Sequence, residues 1–123
     1  MGARVMCLDS SASRLRRLAR AIAEAGWEVW PGNDVRDLLL VGMRLHFEAV
    51  VADEASTQMF PELWEQAEEV FPEIPLLVHS ANGERMPGSP KRTTALSAGE
   101  PDMILAMLIL LLQAGPLHQR KAA

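Results

Sequence analysis

Two short apolar runs, residues 5–8 (Val-Met-Cys-Leu) and 49–52 (Ala-Val-Val-Ala), each end on an aspartate, Asp9 and Asp53. Such runs, bounded by polar residues, suit strands buried on both faces, and strands of that kind belong to parallel sheets sandwiched between helices. In such sheets, ligand and reaction sites gather beyond the carboxyl ends of the strands. Two acids delivered there by neighbouring strands would share one acidic pocket.

The rest of the chain alternates helical and strand patterns around these two runs. Residues 13–25 carry Leu15, Leu18, Ala19, Ile22 and Ala23 on a helical period, with Arg14, Arg16, Arg17 and Arg20 on the remaining, solvated faces. Hydroxyls at the start and Gly26 just past the end supply both caps. Residues 27–30 form a short strand that Pro31 and Gly32 stop, and Asp34 caps a second helix running to about Leu45. The strand at 47–52 follows. Pro61 opens a third helix with Leu63, Trp64, Ala67, Val70 and Phe71 inward, and Pro72 closes it. A fourth strand covers 74–78, and a fifth, weaker one covers 93–97. Residues 81–92 are rich in Gly, Pro, Asn, Ser and charge, which is loop chemistry. A helix over 101–113 completes a domain spanning 1–115, and 116–123 reads as a polar tail. Five strands alternating with helices pair in parallel through crossovers, giving an α/β, doubly wound three-layer sandwich.

Composition removes several function classes. The apolar fraction of 49% supports a globular fold, and a net charge of −4 gives no electrostatic case for nucleic-acid binding. The longest apolar stretch, residues 103–112, is about half the roughly 20 residues a membrane span needs. No charged-then-apolar leader precedes the first strand, so a cytoplasmic setting is expected. Cys7, inside a strand, reads as a small buried hydrophobe. His46, His79 and His118 share no metal-ligand spacing, although His79 stands at a strand end where it can border the acidic pocket. Trp27, Trp30 and Trp64 fit packing positions and form no stacking platform. No Ser-His-Asp or Cys-His arrangement and no Gly-rich phosphate loop is present, so the chain is not expected to be an enzyme.

From Arg4 to about Gln113 the pattern resembles the receiver domain of bacterial two-component response regulators, which has a flavodoxin-like fold with a five-stranded parallel sheet. In that family an acidic pair ends the first strand, the phosphoryl-accepting aspartate ends the third, a Ser or Thr ends the fourth and a Lys ends the fifth. The resemblance makes Asp53 the phosphoacceptor candidate and Ser80 the switch hydroxyl. It also gives Asp9, Asp53 and the backbone of Ala55 as ligands for weakly bound magnesium, with a histidine kinase as a possible upstream partner. Three departures stand out. Ser10 replaces the second acid, the sequence Ala95-Leu96-Ser97-Ala98-Gly99-Glu100-Pro101 has no Lys, and Lys91 and Arg92 lie at the opposite end of that strand. Only twelve residues separate Ser80 from Thr93, so the family's fourth helix is expected to be shortened or missing.

Losing a carboxylate ligand and the cation that neutralises a phosphoryl group each costs on the order of a few kcal/mol where charge develops. The expectation is therefore a pseudo-receiver: a stand-alone regulatory protein-interaction module with impaired or absent phosphorylation, acting through a partner because no output domain is attached. On the plainest account, Asp9 and Asp53 are inherited strand-end acids that cap loops. The alternatives are a working single-domain response regulator phosphorylated on Asp53 with magnesium, or a flavodoxin-like cofactor-binding protein using the hydroxyls at 10–13. That loop lacks glycines for close phosphate approach, which favours capping. The partner surface is expected on the last helix, which is apolar all round, with Met103, Met107, Leu108 and Leu111 contacting a protein partner or a second copy. Burial of that helix under loop residues is the competing reading.

Overall fold

The computed structural model describes residues 3–79, 93–96 and 101–114. Ser80, the segment 81–92, residues 97–100 and the tail 116–123 lie outside the described residues, and with them the expected loss of the fourth helix. The elements are β1 (Arg4–Leu8), α1 (Ala12–Glu24), β2 (Glu28–Gly32), α2 (Val35–Gly42), β3 (Ala49–Asp53), α3 (Glu54–Gln58), α4 (Pro61–Val70), β4 (Leu76–His79), β5 (Thr93–Leu96) and α5 (Pro101–Ala114). The five strands form one sheet in the order β2-β1-β3-β4-β5, every pair parallel. This is the flavodoxin-like arrangement, in which β1 and β3 meet at the switch point of the chain.

Helices cover both faces, which explains the unbroken apolar runs of β1, β3 and β4. Alternate residues of each strand serve opposite layers. Met6, Leu8, Val50, Ala52, Leu76 and Val78 pack with Leu38 of α2 and Trp64 and Ala67 of α4. Val5, Cys7, Ala49, Val51 and Leu77 pack with Leu18 and Ile22 of α1 and Ile104 and Leu108 of α5.

Several boundaries differ from the sequence reading for physical reasons. β2 runs through Pro31 and Gly32 and does not stop before them, because it is an edge strand and a proline there sacrifices no ladder hydrogen bond on its open side. α2 ends at Gly42, where a Cβ would come within 2.6 Å of the Phe71 ring. β3 begins at Ala49, with Phe47 fully buried ahead of it and edge-on to Trp30 at 6.4 Å. α3 was not visible in the sequence at all: Glu-Ala-Ser-Thr-Gln has no apolar period and is too short to nucleate alone, so it depends on its cap and its neighbours. Phe60, between α3 and α4, takes a left-handed conformation (φ 54°), uncommon for an aromatic, beneath the Arg36 guanidinium 4.5 Å from its ring centroid.

The chain leaves α1 through Gly26 at φ +95° with open space around its α-carbon. Substituting Gly26→Ala is expected to cost about 1 kcal/mol, entirely through the backbone, because only glycine adopts this conformation without strain. A chemical denaturation midpoint equal to that of the unsubstituted chain would show the strain argument to be wrong.

α5 resolves the question its uniform sequence left open. Ile104 and Leu108 are fully buried against α1 and the sheet, Leu105, Met107 and Leu112 are partly buried, and Met103, Ile109 and Leu110 are exposed. Leu108 is therefore a core residue and not a surface contact: it follows Ile104 by one turn on the side facing the sheet. The side chain of Leu111 lies outside the described residues. Among the described residues, no helix is long and apolar enough to cross a membrane.

Candidate functional site

The parallel register aligns the strand ends. Leu8 pairs with Ala52 and Asp53 with His79, so Asp9, Asp53 and His79 come together at the carboxyl edge of three adjacent strands. All three are buried, at 2%, 4% and 4% exposure. The acidic pocket inferred from the sequence is therefore present, and His79 borders it as anticipated.

The pocket is already filled. Arg14, in the first turns of α1, donates from Nε to Asp9 Oδ2 at 2.8 Å and from Nη2 to Asp9 Oδ1 at 2.8 Å and Asp53 Oδ2 at 3.0 Å. The sequence reading placed this arginine on a solvated face, and the structure corrects that. A helical wheel gives the face of a residue but not the direction of its reach. The Cα–Cβ bonds of a helix tilt toward its N-terminus, so a long side chain in the first turn leans back over the loop at the strand end. The signal that was available is the spacing: Arg14 follows Asp9 by five residues across a capped strand-to-helix turn.

Three of the four carboxylate oxygens, all but Asp9 Oδ2, accept two donors each. Asp9 Oδ1 accepts from the Ser11 backbone N–H at 2.8 Å, and Ser11 caps α1 by accepting from the Arg14 N–H. Asp53 is the N-cap of α3: its Oδ1 accepts from the Ser56 N–H at 3.3 Å and the Ser10 N–H at 3.2 Å. The Ser10 hydroxyl donates to Asp53 Oδ2. Ser10 thus does more than remove an acid from the usual position; it adds a hydrogen-bond donor to the neighbouring carboxylate.

These contacts set the charge states. Burial pushes the Asp53 carboxyl up, but the hydrogen bonds from Ser10 and Ser56 together outweigh it and hold Asp53 below the ordinary carboxylate range. Hydrogen bonding to Asp9 raises the already high Arg14 value against the opposing effect of burial. Burial lowers His79 despite the attraction of Asp9 and Asp53. Its Nε2 is 3.5 Å from Asp9 Oδ2, which satisfies a loose ion-pair distance but leaves the atom without a hydrogen-bond partner among the described residues. A neutral imidazole at that distance gains little from the carboxylate. Cys7, buried beneath the two aspartates, has its thiol pushed up to about 12, first by burial and then by their charge, so it is an inert packing group.

A magnesium ion needs a near-octahedral set of oxygen ligands. The arrangement does not fit one: both carboxylates are engaged by N–H and O–H donors, and no cluster of three His, Cys, Asp or Glu side chains among the described residues could hold a metal ion. Ala55 is an exposed residue within α3, and helix carbonyls run toward the C-terminal end, away from the Asp53 cap. Ser80 lies outside the described residues.

No protein-family model and no curated protein sequence matches the chain. Its fold does match solved structures. The CheY-like response regulator receiver domain protein from Methanospirillum hungatei JF-1 superposes with a TM-score of 0.74 at 16% identity, covering 100% of both chains. The chemotaxis response regulator CheY4 of Vibrio cholerae gives 0.72 at 20% identity, over 91% of this chain and 100% of that one. A response regulator from Thermotoga maritima gives 0.71 at 18% identity, over 92% and 99%. At these identities the likeness establishes the receiver-type fold.

Proposed function

We propose that this chain is a receiver-like signalling domain that works as a protein-interaction module, with phosphorylation of Asp53 impaired or absent and no enzymatic activity of its own. The observation that carries this reading is the Arg14 fork across Asp9 and Asp53. A phosphoryl-accepting carboxylate needs a free oxygen in line with the donor and a cation able to offset crowding of the oxygens. Here Asp53 Oδ2 accepts from both Ser10 and Arg14, and Oδ1 from two backbone N–H groups. Attack would require those donors to be displaced first. The receiver-type fold supports a signalling role, since the neighbours described above are response regulators by their own names. Output would then pass to a protein partner or a second copy, with the exposed Met103, Ile109 and Leu110 of α5 as the apolar contact residues.

Intact-mass measurement after incubation with a small phosphoryl donor and magnesium tests the reading. The expected result is the unmodified mass for both the native chain and Asp53→Asn. A single phosphoryl adduct on the native chain, absent from Asp53→Asn, would instead make this a working response regulator.

A further inference from the structure

We propose that Arg14 is the built-in cation of the acidic site, balancing Asp9 and Asp53 in place of a divalent ion and closing the site to metal. Two carboxylates at 2% and 4% exposure on adjacent strands repel each other and have lost most of their hydration. A buried acid pair of this kind either takes up a proton or acquires a counter-charge. Arg14 supplies that charge in the most directional form available, a planar fork that binds one carboxylate through two nitrogens and bridges to the second. Its Nη2 donates to both acids, so one guanidinium joins the two carboxylates directly. His79 adds no balancing charge, since it is buried and its Nε2 lacks a hydrogen-bond partner among the described residues. Its Nε2 stands 3.5 Å from Asp9 Oδ2, and it does not complete a metal-binding cluster with the two acids. Arg14 keeps about a third of its side chain exposed, so it can be substituted without emptying the core.

This inference deepens the proposed function by naming what holds the same site shut, and its test is independent of phosphorylation. Thermal unfolding of the native chain, Arg14→Gln and Arg14→Lys would be followed in chelator, magnesium, manganese and zinc. The native chain is expected to melt at the same temperature in all four conditions. Arg14→Gln is expected to melt lower in chelator and to gain about 5 °C in saturating magnesium or manganese, which two carboxylates and water suit, with less from zinc. Adding Asp53→Asn should abolish the gain, and Arg14→Lys, which keeps the charge, should stay indifferent to metal. Equal metal stabilisation of the native chain and Arg14→Gln would overturn the proposal, as would an Arg14→Gln variant that no ion stabilises. Manganese binding to the native chain, followed by electron paramagnetic resonance, decides the matter should Arg14→Gln fail to fold: free manganese is expected, and a bound signal lost in Asp53→Asn overturns it. A native chain that accepts a phosphoryl group yet ignores metal would refute the interaction-module reading alone.

Discussion

Replacing Arg14 by methionine is expected to lower the free energy of unfolding by about 3 kcal/mol at neutral pH, measured by urea denaturation. Methionine keeps the aliphatic reach of the side chain and removes only the guanidinium. What remains is two buried carboxylates with their backbone and Ser10 donors but, among the described residues, no bound cation. Removing one partner of a buried ion pair costs roughly 3–5 kcal/mol, and the partial exposure of Arg14 places this case at the lower end. Arg17→Met, on the same helix but exposed and outside the acidic site, should change stability by less than about 0.5 kcal/mol. Equal effects from the two substitutions would show that the fork contributes nothing beyond helix surface charge.

The loss should also depend on pH in a defined direction. Asp53 titrates below its ordinary value in the folded chain, so the folded state binds fewer protons than the unfolded one. The stability this contributes is present above the unfolded carboxylate value of about 4 and disappears as pH falls through the folded value. His79 is lowered too, by burial, so its share is complete above about 6.5 and declines as acid charges the unfolded imidazole. The native chain should therefore weaken on acidification in two stages. In Arg14→Met the Asp53 carboxylate, without its cation, takes up a proton more readily, and the gap between variant and native chain should narrow below about pH 5. A gap that stays constant from pH 7 to pH 4 would mean that the lost stability is packing and not charge.

Much of this was legible in the sequence, and what was not has specific causes. The runs before Asp9 and Asp53 announced buried parallel strands because burial on both faces removes the polar alternation, and the β2-β1-β3 order then brought the two acids together. Asp34 as a helix cap and Gly26 as a helix exit were readable because each solves a local backbone problem. Ser10 was read as the absence of an acid and as part of a capping hydroxyl loop, not as a partner of Asp53, since its hydroxyl gains that partner across 43 residues of sequence. A separation of 39 residues likewise hid the reach of Arg14 to Asp53, which depends on side-chain direction and not on periodicity. α5 was opaque for the opposite reason: when nearly every residue is apolar, no period distinguishes the face that meets the sheet from the one that meets water.

That ambiguity yields the other large effect, because two leucines two positions apart on α5 should respond in opposite ways to the same change. Leu108→Asp places a carboxylate among Val5, Cys7, Leu18, Ile22, Val51 and Leu77, where the native side chain is 0% exposed. Losing a buried leucine costs about 2–5 kcal/mol, and an unpaired buried charge adds several more, which together rival the whole stability of a small domain. The variant is expected to lose its folded circular-dichroism transition. Leu110 is 60% exposed, and Leu110→Asp should shift unfolding by no more than about 0.5 kcal/mol. The second substitution also bears on the partner face. If Met103, Ile109 and Leu110 form a contact between copies, the native chain sediments as a concentration-dependent dimer and Leu110→Asp as a folded monomer. Should both sediment as monomers over the same concentration range, α5 does not serve self-association, and the partner proposed for this face must be a different protein. A folded Leu108→Asp, by contrast, would mean that α5 does not pack on the sheet through Ile104 and Leu108.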